Sequence, residues 1–105
     1  MSKLIPDEFL VSIPDLYQTE GSLNPICHIK LFTPDSNWSW YIIEFSKADK
    51  NTCYGYVQGL EHELGYFNLS ELESARGQLG LAIELDLSFI PTAFAIIKNY
   101  DYESS

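Results

Sequence analysis

The stretch FTPDSNWSWYIIEF, residues 32–45, decides the fold of this chain. Its first part, Thr33-Pro34-Asp35-Ser36-Asn37, has turn chemistry: proline fixes φ, and Asp and Asn bond the local backbone. Its second part packs two tryptophans and a tyrosine into the four residues Trp38 to Tyr41. Aromatic side chains at that density are costly to leave in water, so the segment is either the centre of the fold or a recognition surface. Alternation sets Trp38, Trp40 and Ile42 on one face of a strand and Tyr41, Ile43 and Phe45 on the other. Both faces are apolar, which predicts a central strand covered on both sides.

Working outward, ICHIKLFT (26–33) alternates Cys27, Ile29 and Leu31 against His28 and Lys30, the pattern of a half-buried strand. Downstream, Ser46 to Thr52 is a polar loop. Cys53 to Gln58 reads as a third strand, with Tyr54 and Tyr56 on one face and Val57 on the other. Gly59 and Glu61-His62-Glu63 form a turn, and Leu64 to Leu69 a fourth strand. Short connections in succession predict an antiparallel meander. Ser70 as N-cap and Glu73 as its N3 partner predict a helix running to about Arg76 and stopped by Gly77, with Leu72 and Ala75 facing the sheet. Ile83 to Ile90 alternates again, which favours a fifth strand, with a helix over 81–86 as the alternative. Near the start, Pro6 to Val11 reads as a short helix opened by proline, with Asp7 and Glu8 at the positive end of its dipole. Pro14 ends it before a polar loop, Gln18 to Pro25. Pro91-Thr92 introduces a last helix, Ala93 to about Asn99, and a polar frayed tail. The expected fold class is α+β: a single compact domain over residues 1–105, an antiparallel meander sheet of four to five strands with two to three short helices.

Apolar residues make up 46% of the chain and aromatics 14%, a globular composition with a substantial core. No apolar run approaches the roughly 18 residues of a membrane span. MSKLIPDEFL has one lysine and no long apolar stretch, unlike a secretory signal. A cytoplasmic protein without a membrane partner is expected. Cys27 and Cys53 lie 26 residues apart and could meet on neighbouring strands; reduced, buried thiols are the expectation. Charge is the strongest global signal. Fifteen acids against six bases give −9, and residues 54–97 hold six acids and the lone base Arg76. Such a surface repels phosphate backbones, so direct binding of duplex DNA is disfavoured. It serves solubility, or it attracts basic partners, including proteins whose own ligand is DNA.

The blocks Leu4-Ile5-Pro6, LYQTEG (16–21), FTPDSNWSWY (32–41), GYVQGLEHELGYFNLSELESARGQLGLAIELDLSF (55–89) and Pro91-Thr92 resemble the family called domain of unknown function 2958. The resemblance covers most of the chain and extends beyond aromatic composition to turns and caps. It departs at Gln78, where members usually carry proline, and at Leu85, where they carry a basic residue. No activity comes with this family. The resemblance implies provenance on bacterial plasmids, conjugative elements or phages, and so roles such as transfer, maintenance or evasion of host defences.

Catalytic candidates are few. His28 and His62 are the two histidines, and a nucleophile would have to stand beside one of them. Cys27 is adjacent to His28 but points to the opposite face of a strand, and Cys53 would have to approach across strands. A buried thiol beside a surface histidine is the simpler reading. Glu61-His62-Glu63 matches no metal spacing, and Gly77-x-x-Gly80 has no following lysine for a phosphate loop. No catalytic residue, metal or cofactor is assigned. The aromatics carry more. Modules that stack bases on a sheet set aromatics beside a basic groove. Residues 31–46 and 51–75 contain no lysine or arginine. Trp40 and Tyr41 are therefore expected in the core, and Trp38, Tyr54, Tyr56 and Tyr66 supply a protein-contact surface. Glu71 and Glu73 serve the helix N-terminus. Glu61, Glu63, Glu84 and Asp86 have no folding reason and are the candidate acidic surface.

The expected function is a non-enzymatic binding protein of a mobile element. It would inhibit a host defence or DNA-processing protein by presenting carboxylates to that partner's basic, DNA-binding surface. A small-ligand or single-stranded nucleic-acid module on the aromatic face is the alternative, and a small hydrolase or nuclease using His28 or His62 comes third. Homo-oligomerisation is left open.

Overall fold

The central strand is where the two-sided apolar pattern puts it. In a computed structural model, which describes residues 4–104 and the side chains of residues 4–99, β3 (Ser39–Phe45) is the middle of a five-stranded antiparallel sheet. Along the chain, α1 (Asp7–Leu10) precedes β1 (Ile26–Cys27), β2 (Ile29–Phe32) and β3. Then come β4 (Thr52–Gln58), β5 (His62–Asn68), α2 (Leu69–Ser74), β6 (Glu84–Leu85), β7 (Thr92–Ala93) and α3 (Phe94–Ser104). The sheet order is β5-β4-β3-β2-β6, and β1 pairs with β7 as a separate two-stranded ribbon. The class is α+β. Strands β2 to β5 form the expected meander, and β6 returns to the far side of β2.

Two irregularities decide which side chain goes where. The chain breaks pairing at His28, whose N–H donates to the Ile42 carbonyl (2.8 Å). Cys27 is therefore not on the face of Ile29 and Leu31, as simple alternation had it. It packs with Tyr41, Ile43 and Phe94, while Ile29 and Leu31 pack with Trp40 and Ile42. The second irregularity is a bulge in β3 between Ile42 and Glu44. One extra residue reverses the parity of everything after it. Phe45 thus joins Trp40 and Ile42 opposite Cys53, not Tyr41 and Ile43 as alternation predicts. Glu44 comes to lie opposite Tyr54, on the tyrosine face.

Further expectations are corrected. His62 and Glu63 belong to β5 rather than to a turn, pairing with Gln58 and Val57. The cap of α2 is Asn68, whose Oδ1 accepts from the Glu71 N–H (3.0 Å), and not Ser70, whose hydroxyl donates to Asn68. The helix starts earlier because Leu69 and Leu72 are both buried, and it ends at Ser74. Gly77 is not a left-handed stop; a Cβ there would stand 1.5 Å from the Asp35 carboxylate. That carboxylate accepts the Leu79 N–H (2.7 Å) and Leu81 N–H (3.2 Å), tying the 77–81 loop to the 33–37 turn. The fifth strand shrinks to Glu84–Leu85; Leu87 is exposed and Phe89 folds onto Tyr41. At the C-terminus, α3 starts at Phe94 because Thr92 and Ala93 are taken by the β1 pairing, and it continues through Ser104 in place of the expected frayed tail. Ser105 lies outside the described residues.

The two faces of the sheet are covered unequally. Ile29, Leu31, Trp40, Ile42, Phe45 and Cys53 form the first face, sealed by Ile5, Ile13, Leu69, Leu72 and Ile83. Full burial of a Leu or Ile contributes about 2 kcal/mol each. The second face carries Tyr41, Tyr54, Tyr56 and Ile43, covered by Phe94 and Ile97 of α3 and by Phe89. Its cover stops short of β5, where Leu64 and Tyr66 are exposed.

Candidate functional site

The open end of the second face is built around Glu44. This carboxylate is only 3% exposed. One oxygen accepts the Tyr17 N–H (2.8 Å); the other accepts the Thr19 N–H (2.9 Å) and the Thr19 hydroxyl. Tyr17 has φ of 71°, a left-handed conformation that costs a non-glycine residue about 1 kcal/mol. Successive N–H groups turned inward by such a residue form an anion nest. The carboxylate thus organises the 16–21 loop, and the loop satisfies a charge that burial would otherwise make expensive. Among the described residues, no lysine or arginine pairs with Glu44.

Around this carboxylate lies a pocket of about 390 Å³, lined by Tyr17, Tyr54, Leu64, Tyr66 and Phe94, with Glu20 at its rim. The rings of Tyr54 and Tyr66 are 5.1 Å apart, and Tyr17 lines the pocket beside them. The Tyr66 hydroxyl is held above its ordinary pKa of 10, first by loss of water, then by Tyr17, with Glu44 and Tyr54 adding smaller effects. The pocket opens beside β5. This strand lies at the sheet edge, so among the described residues its outer backbone groups have no strand partner.

The four carboxylates singled out from the sequence do not form one patch. Glu61 and Glu63 lie at the β5 edge, Glu84 and Asp86 at the β6 edge. Four strand spacings, about 19 Å, separate the two edges. Asp86 is also engaged locally: its carboxylate accepts from the Ser88 N–H (3.0 Å) and hydroxyl (2.7 Å), bonds that lower its pKa. Of the four aromatics, Tyr66 is 56% exposed, Tyr54 and Trp38 are half-buried, and Tyr56 is buried against Phe94. Trp38 stacks on Trp40 (5.8 Å), and Gly59 exists where a Cβ would strike the Trp38 ring at 2.2 Å. Only Tyr54 and Tyr66 reach the pocket. Sequence reasoning missed Glu44, Tyr17, Thr19 and Phe94. The available signal was Glu44 itself, the one charge in the apolar-rich run from Trp38 to Phe45.

Other features tie the fold together. A second pocket, about 460 Å³, lies between Ile5, Leu10, Phe45 and Leu69. Its polar rim is engaged: Lys47 Nζ donates to the Leu10 and Val11 carbonyls at the end of α1, and Glu73 accepts the Leu4 N–H (3.0 Å). Cys27 and Cys53 are both buried and free, and burial pushes each thiol up to about 12, far from a thiolate at neutral pH. They belong to opposite faces of the sheet. Burial also lowers the pKa of His28. Among the described residues, no three His, Cys, Asp or Glu side chains converge as a metal site. No helix there is long and apolar enough to cross a membrane.

The fold and this site define a small α+β protein with one sealed sheet face and one half-open, tyrosine-lined face. The chain belongs to the family described as "Protein of unknown function (DUF2958)", whose model matches residues 10–100. No curated protein and no solved structure matches it.

Proposed function

We propose that the protein is a non-catalytic binding protein that docks a basic protein partner at the β5 edge, on the face carrying Leu64 and Tyr66. The observation that supports this best is the coincidence of three features. A seven-residue edge strand whose outer side has no neighbouring strand among the described residues, two exposed side chains, Leu64 and Tyr66, and an acid-lined pocket occur side by side. Edge backbone groups, tyrosine anchors and complementary charge are the three elements of strand-addition docking. Glu61, just before the strand, and Glu63, its second residue, are exposed and favour approach of a positive surface. The mobile-element provenance expected from the sequence makes a host defence or DNA-processing protein the first partner class to test. In this reading the acidic surface is the β5 edge alone, not all four carboxylates.

The test is affinity capture from host lysate with three variants beside the parent chain. Glu61→Lys with Glu63→Lys, and Tyr66→Ala, should each lose the partner. Glu84→Lys, at the other edge, should keep it. A partner that ignores both β5 changes, or that is lost with Glu84→Lys alone, overturns the proposal.

A further inference from the structure

We infer that the pocket between the 17–25 loop and strands β4 and β5 receives the guanidinium group of an arginine side chain of the docked partner. The inference rests on the proposed docking at β5 and names the chemistry of its anchor. Three observations carry it. First, Glu44 brings a negative charge to the pocket while 3% exposed, and among the described residues its partners are two N–H groups and one hydroxyl, with no cation. Hydrogen bonds from the loop hold this carboxylate but leave its negative charge in place, and an incoming cation would add a Coulomb attraction that the loop does not supply. Second, Tyr17, Tyr54 and Tyr66 line the same pocket, and the negative faces of aromatic rings attract cations. Third, Glu20 adds a second carboxylate to the lining, which among the described residues includes no lysine or arginine. Lys98, on α3, lies over the Phe94 ring at 5.7 Å and does not line the pocket.

Guanidinium fits better than ammonium. It is planar, stacks on tyrosine and sheds water more readily than a lysine head. Glu44 uses three acceptor sites on the loop, and a carboxylate pair offers about four, so one direction remains for an N–H of the guest. Exposed Glu20 can take a second.

The test uses the full chain, labelled with nitrogen-15, titrated with N-acetyl-arginine amide, its uncharged citrulline counterpart and N-acetyl-lysine amide. The arginine compound should shift the amides of Tyr17, Thr19, Tyr54, Leu64 and Tyr66, with a Kd on the order of 10 mM, as a few exposed cation–π contacts allow. The citrulline compound should bind at least about fivefold more weakly, and Glu20→Gln should weaken arginine about threefold. Equal binding of citrulline, shifts elsewhere, or none overturns the inference. Lysine binding as tightly as arginine overturns the guanidinium assignment. Capture that depends on β5, with no arginine shifts, would reject this pocket and leave the docking proposal standing. Arginine shifts without any β5-dependent capture would do the reverse.

Discussion

One face of this sheet is finished and the other is not. On the first face, Leu31 and Ile42 are wholly buried in one apolar cluster with Ile5, Ile13, Leu69 and Leu72. On the second, the same strands carry tyrosines, a buried carboxylate and a pocket, and the cover supplied by α3 stops before β5. Adjacent side chains on one strand meet different demands. Those of the first face hold the fold. Those at the β5 end of the second leave apolar and charged groups available, and stability alone gives no reason for that.

The comparison can be broken in several places. The largest effect is expected at Gly55, in the centre of the sheet, where an added Cβ would stand 1.8 Å from the Tyr41 carbonyl oxygen. Gly55→Ala should cost about 4 kcal/mol or prevent folding, because backbone must move. Gly65, its partner on β5, has nothing within 4 Å of the same position. Gly65→Ala should change urea stability by less than about 0.5 kcal/mol. Next, Leu31→Ala on the sealed face should cost about 3 kcal/mol by transfer and cavity terms, read from the same urea curves. Glu44→Gln should cost less, about 2 kcal/mol, by weakening charge-assisted bonds to Tyr17 and Thr19. Its signature is local: hydrogen exchange should speed up across residues 16–21 while β2 and β3 stay protected.

The smallest effects are those of pH. Tyr66 has a raised pKa in the folded state, so its contribution is complete below 10 and is lost as pH rises through the raised value. Asp49 is the opposite case. Its carboxylate accepts the Thr52 hydroxyl (2.6 Å) and the N–H groups of Thr52 and Asn51, which hold it at about 2. Its contribution is complete above 3.8 and is lost as pH falls towards 2. Both groups are exposed, so stability should decline gently at each end and not collapse. Thermal midpoints from pH 2 to 11 check the two signs.

Much of the fold could be read from residues 26–69, because apolar alternation and turn chemistry there agree. The central strand, the meander and the Tyr54–Tyr56 face all follow from that agreement. The site was harder to see, for a physical reason. Parity changes at His28 and Ile43 come from local backbone geometry, and no composition signal marks either one. Those two shifts move Cys27 to the tyrosine face and Phe45 away from it, and they leave Glu44 facing Tyr54. The loop that caps Glu44 does so through two main-chain N–H groups, which carry no sequence signal, and one Thr19 hydroxyl. The acids at 84 and 86 looked equivalent to those at 61 and 63 until the strand order put them at opposite edges.

Tyr66→Ala tests the central claim most directly when stability and partner capture are measured on the same sample. The account predicts a stability change below about 1 kcal/mol, as for a surface residue, with capture weakened more than about tenfold, as for an interface anchor. Undiminished capture by a stably folded Tyr66→Ala protein would contradict it.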